Sequence, residues 1–70
     1  MNIIGRNVKA AREKNEWTQE QLAAKCNLLG WNISRSTLAK IESRVRRITD
    51  IEVKTLSLAL NTGIELLFKD

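Results

Sequence analysis

Thr18, Ser34, Thr49 and Thr62 stand along this chain where helices would begin, and these recurring caps constrain the fold more than any other feature. A hydroxyl at such a position accepts a hydrogen bond from the backbone N–H three residues on. A Glu or Gln at that third residue can return one to the cap's own N–H. Thr18 has Gln21, Thr49 has Glu52 and Thr62 has Glu65 as the returning partner, whereas Ser34 has only Thr37. Trp17 with Leu22, Ile33 with Leu38 and Ile48 with Val53 occupy the staple positions around the first three caps, and Leu66 and Leu67 follow the last. Helices are therefore expected to start at all four caps. An earlier helix is expected from about Ile3 to Lys14, where Ile4, Val8 and Ala11 recur at helical spacing and Asn15 and Glu16 follow as the stop.

Each expected helix carries an inward stripe: Leu22 and Cys26, then Leu38 and Ile41, then Val53, Leu56 and Leu60. The apolar residues do not alternate, and the chain has no proline and no repeat. The fold expected is all-α, a compact bundle of five helices forming one domain over residues 1–70. A chain this short buries only about 60% of its unfolded surface, so its stability margin is thin and there is little room for a pocket. The connections are short except between Lys25 and Ser34, where Gly30 is the expected residue just past the end of the second helix.

Composition narrows the chemistry. One cysteine and no histidine exclude an internal disulfide and an ordinary structural zinc site, and Cys26 on the inward stripe reads as a small hydrophobe. Without histidine, and without a nucleophile set beside a base, no general acid–base constellation can be drawn, so neither an enzyme nor a cofactor is expected. No apolar run approaches the roughly 20 residues of a membrane span, and the N-terminus lacks a signal-peptide pattern, which points to the cytoplasm. Twelve Lys and Arg against eight Asp and Glu leave a formal charge of +4, which favours an anionic partner without naming it.

The segment Thr18-Gln-Glu-Gln-Leu-Ala-Ala-Lys25, followed by Ile33-Ser-Arg-Ser-Thr-Leu-Ala-Lys-Ile-Glu42, resembles the Cro/C1-type (XRE-like) helix-turn-helix family of phage repressors and bacterial regulators. The likeness continues through the basic loop Ser43-Arg-Val-Arg-Arg-Ile-Thr49, then Leu56-Ser-Leu-Ala-Leu60 and Ile64-Glu-Leu-Leu67. It implies a lambda-repressor-like bundle that regulates transcription, as a repressor, by binding double-stranded DNA. Helix 2 would cross the DNA backbone, and a recognition helix over about residues 34–43 would enter the major groove.

Residue types along helix 3 agree with that geometry. With Leu38 and Ile41 inward, the opposite face presents Arg35, Ser36, Ala39, Lys40 and Ser43. Arg35 suits bidentate bonding to guanine O6 and N7, and Lys40 can reach the same acceptors. Ser36 and Thr37 are adaptable, while the Ala39 methyl can meet a thymine methyl. Gln19, in the first turn of helix 2, matches a phosphate-binding position of the family, and Ser43, Arg44, Arg46 and Arg47 suit phosphate neutralisation without sequence reading. The resemblance also pairs Arg12 with Glu42 in a structural salt bridge that fixes the pose of helix 3.

Two departures from the family stand out. Its turn between helices 2 and 3 is about five residues shorter than the one here, so helix 2 is expected to gain a turn, with Leu29 or Trp31 covering the core edge; the alternative is Trp31 or Asn32 against the DNA backbone. Arg44 stands where the family often has glycine, so the loop needs either a positive φ at a non-glycine residue or a different turn. The expected partners are DNA and a second copy of the chain in a homodimer, with no membrane and no small-molecule ligand. Some of Ile64, Leu66, Leu67 and Phe68 would supply the dimer surface, or else close the core. The competing reading is a protein-interaction module, an antitoxin-like or adaptor domain. Salt separates the two, because DNA binding weakens steeply as salt rises.

Overall fold

A helix begins where the orphan N–H groups of its first turn find acceptors, and the caps of this chain set most of the boundaries. In the computed structural model, which describes residues 2–69, α1 runs Gly5–Lys14, α2 Gln19–Leu28, α3 Arg35–Glu42, α4 Asp50–Leu60 and α5 Ile64–Leu67; no strand occurs among the described residues. Thr18 and Thr49 form complete capping boxes with Gln21 and Glu52. Ser34 accepts from the Thr37 N–H at 3.2 Å and donates to the Thr37 hydroxyl at 3.1 Å.

The first and last helices start later than the sequence pattern predicts. Ile3 lies outside α1 because Asn2 organises the entry: its Oδ1 accepts from the N–H groups of Ile4 and Gly5 at 3.1 and 2.9 Å. The Asn2 Nδ2 donates to the carbonyls of Ile41 and Arg46 at 2.8 and 3.1 Å, so one buried side chain laces the start of the chain to the end of α3 and its loop. The box expected at Thr62 and Glu65 does not form. Asn61 adopts the left-handed conformation at φ 51°, and the Thr62 N–H donates to the Ser57 carbonyl as part of the α4 terminus. The N–H that Glu65 would have accepted from is therefore already engaged, the Thr62 hydroxyl donates to the Leu60 carbonyl, and Gly63 becomes the cap of α5.

The long connection between α2 and α3 is short in irregular structure. α2 continues to Leu28, and Gly30 at φ 92° closes a Schellman motif in which the Trp31 N–H reaches the Cys26 carbonyl and the Gly30 N–H that of Asn27. Asn27 Nδ2 then holds the carbonyls of Trp31 and Ile33 at 2.9 and 3.2 Å. Trp31 and Ile33 pack on the core, whereas Leu29 is half-exposed and Leu28 is 86% exposed, so the tryptophan and not the leucine covers the core edge.

The core gathers Ile4 and Val8 of the α1 segment, Leu22 and Cys26 of α2, Leu38 and Ile41 of α3, Leu56 and Leu60 of α4, and Leu67 of α5. Ala11, expected on this stripe, is only partly buried at its margin. α1 packs on α3, α4 and α5, and α2 packs on α3 and α4. Gly5 permits a close approach of α1 to the end of α3: a Cβ there would run into the Ile41 carbonyl oxygen and the Arg44 side chain. No helix among the described residues is long and apolar enough to cross a membrane.

Candidate nucleic-acid interface

Burial of one side of α3 dictates what its other side can do. Leu38 and Ile41 are fully buried and Glu42 nearly so, which turns Arg35, Ser36, Lys40 and Ser43 to solvent. Thr37 and Ala39 are half-buried at the edges of this face. Neither Arg35 nor Lys40 has an ion-pair or side-chain hydrogen-bond partner among the described residues. Ser34 ends the helix on one side and Ser43, whose hydroxyl donates to the Lys40 carbonyl at 3.2 Å, on the other.

Glu42 anchors the inner side. Arg12 meets it in two parallel hydrogen bonds, Nε to Oε2 at 2.7 Å and Nη2 to Oε1 at 3.0 Å, with side-chain exposures of only 10% and 3%. Arg12 Nη1 also donates to the Trp17 carbonyl at 2.7 Å, and Gln19 Nε2 donates to Glu42 Oε1 at 3.1 Å. This network joins α1, the turn after it, the first turn of α2 and the last residue of α3, so the pose of α3 is held by charge as well as by packing. Hydrogen bonding to Glu42 raises the Arg12 pKa above its ordinary value against the opposing effect of burial. Gln19 is half-buried, and its amide nitrogen serves this network; its place in the first turn of α2 is as the sequence pattern sets it.

The loop after α3 separates its arginines. Arg44 takes φ 67°, the left-handed conformation that glycine adopts more readily, so the turn keeps its shape at a non-glycine residue. Arg44 and Arg47 are exposed. Arg46 is half-buried and chelates Glu52, Nη1 to Oε1 and Nη2 to Oε2 both at 3.0 Å, while Nη1 also reaches the Arg47 carbonyl at 2.9 Å. This pairing holds the Glu52 carboxyl below the usual carboxylate range and makes Arg46 a brace between the loop and α4. Its charge is therefore compensated within the fold, whereas Arg44 and Arg47 have no ion-pair partner among the described residues.

The remaining reactive group is enclosed. Cys26 is fully buried, and burial pushes its thiol up to about 11, far from the thiolate a reactive cysteine needs. Among the described residues no cluster of His, Cys, Asp and Glu could hold a metal ion.

The exposed α3 is thus locked to the preceding helix by a turn and to the bundle by a buried charge pair. A family model described as helix-turn-helix matches residues 8–67. The chain belongs to the Cro/C1-type helix-turn-helix family. Comparisons with curated proteins and with solved structures gave no match. In a helix-turn-helix regulator the DNA-binding unit is the pair formed here by α2 and α3, joined by the turn over residues 29–34. Asn2 and the Arg46–Glu52 brace escape a reading of the residues in order. Asparagine near a chain start is unremarkable, and Glu52 is legible only as a capping-box partner; its second role depends on where the loop lies.

Proposed function

We propose that the chain is a sequence-specific regulator, a repressor acting in the cytoplasm, that inserts α3 into the major groove of double-stranded DNA as a homodimer. The observation that carries this reading is the outer face of α3, where Arg35 and Lys40 are exposed and have no ion-pair partner among the described residues, while the opposite face is locked into the core. In this pose Arg35 reads guanine, Ser36, Thr37 and Ala39 make adaptable and methyl contacts, and Lys40 supplies a second donor; each good bidentate pair contributes about 1–3 kcal/mol of discrimination. Ser43, Arg44 and Arg47 approach phosphates, Arg46 positions that loop through Glu52, and Gln19 lies where α2 meets the backbone.

Size and surface support the dimer. The longest principal extent of the chain is 27 Å, shorter than the roughly 34–36 Å between half-sites one helical turn apart, so one copy cannot read both. Leu67 closes the monomer core, whereas Ile64, Leu66 and Phe68 are 43%, 52% and 46% exposed and supply an apolar contact surface for a second copy.

Selection of bound sequences from random duplex DNA tests the whole reading. The expected product is a pair of related half-sites with two-fold symmetry. Absence of enrichment, together with no duplex binding at low salt, would overturn it in favour of a protein-interaction module.

A further inference from the structure

Three cations from three parts of the chain line one cleft beside the α3 loop. Arg6 comes from the first turn of α1, Arg44 from the loop after α3 and Lys69 from the segment after α5; Ile3 and Asn7 complete the lining, and no acidic side chain among the described residues takes part. The fold builds this convergence deliberately. Asn7 Nδ2 donates to the carbonyls of Leu67 and Lys69 at 2.7 and 2.6 Å, which fixes the tail alongside Arg6. Gly5 leaves room for the Arg44 stem to lie across the start of α1, because a Cβ at that position would approach Arg44 Cγ to 2.9 Å.

Arg44 also lines the neighbouring depression formed with Asn2, Ser43, Val45, Arg46 and Arg47, so the cleft is continuous with the basic loop that ends the reading face. Arg12 is engaged with Glu42, Arg46 with Glu52, and Lys25 lies over the Trp17 ring at 4.5 Å. Arg6 and Lys69, both exposed, have no such partner among the described residues. Cations that line one cleft repel one another, and an anion between them relieves that repulsion.

We infer that Arg6 and Lys69, with Arg44, form a second phosphate-binding cleft that takes DNA backbone flanking the segment read by α3. The inference rests on the DNA-binding reading above and extends its footprint to the start of α1 and the C-terminal tail. Its contribution is affinity and register, with no base discrimination, since a phosphate is the same beside every base.

The test compares the full chain with the Arg6→Gln/Lys69→Gln variant on one selected duplex across a salt series. Each phosphate contact contributes about 0.9 to the slope of log affinity against log salt, so the variant slope should be shallower by about 1.8. Between about 50 and about 200 mM salt the unaltered chain should then lose roughly twelvefold more affinity than the variant. The variant should select the same sequences and keep the same thermal midpoint and oligomeric state. An unchanged slope in a chain that binds and selects DNA overturns this inference alone. So does a variant that changes the oligomeric state instead of the slope, because the cleft then belongs to a protein contact. No duplex binding by the unaltered chain overturns this inference and the DNA-binding reading together.

Discussion

Arg12 and Glu42 show how a single pair governs an interface it need not touch. Their charges are almost wholly removed from water, and such a pair is stabilising only while both members are present. Arg12→Ala strands a buried carboxylate with Gln19 as its one remaining side-chain donor. The expected cost is about 3–5 kcal/mol in urea unfolding, a large part of the roughly 0.05–0.15 kcal/mol per residue that holds a domain of this size together. Combining Arg12→Met with Glu42→Gln should recover much of that loss, and a double-mutant cycle measures the coupling. Glu52 supplies a pH-dependent counterpart. Its folded-state pKa lies below the unfolded value, chiefly because Arg46 hydrogen-bonds the charged form. Stability from this pair is thus fully present above the unfolded carboxylate pKa of about 4.3 and is lost as pH falls through the folded value. Glu52→Gln keeps a side chain able to complete the Thr49 box but removes the charge. Its stability should fall below that of the unaltered chain near pH 7, and the gap should narrow as pH falls through the folded-state value of Glu52.

At the scale of elements, the same chemical signature yields different outcomes at Thr49 and Thr62. Thr49 accepts from the Glu52 N–H at 3.2 Å and receives the Glu52 carboxylate on its own N–H at 3.0 Å. Thr62 caps no helix, because the left-handed turn at Asn61 draws its N–H back to Ser57. Thr49→Ala should therefore cost about 1 kcal/mol, whereas Thr62→Ala should cost clearly less, as compared in denaturant midpoints. Equal losses would show that Thr62 does serve as a cap in solution. The α2–α3 connection illustrates the reverse case, where an apparent irregularity resolves into regular parts. Continuation of α2 to Leu28 and a glycine-closed Schellman motif take up its length, and Trp31 and Ile33 return the chain to the core.

For the whole molecule, function depends on which charges the fold leaves over. Arg35→Ala should relax base preference at one position of each half-site while leaving the thermal midpoint close to that of the unaltered chain, as read by repeated selection and calorimetry. Arg47→Ala should weaken binding to all duplexes alike and reduce the salt slope by about 0.9. Arg46→Ala should behave differently from its neighbour, lowering stability through loss of the Glu52 brace and altering the salt slope less than Arg47→Ala. A salt slope that drops equally for the two would show that Arg46 leaves Glu52 to meet a phosphate.

Local chemistry written in the residue order determined the all-helical class, the caps at Thr18, Ser34 and Thr49, the inward stripes and the outward face of α3. Each rests on hydrogen bonds or periodicities spanning only a few residues, which any observer of the string can trace. Tertiary structure decided what one residue alone cannot: whether a charge is left free or neutralised, and which of two local motifs claims a shared N–H. Arg46 and Arg47 are adjacent and alike in sequence, yet only Arg46 meets a carboxylate, because α4 brings Glu52 to it. Asn2 likewise acquires its place by donating to the distant carbonyls of Ile41 and Arg46, and Lys69 by accepting on its own carbonyl from Asn7 Nδ2, contacts that exist only once the helices have packed.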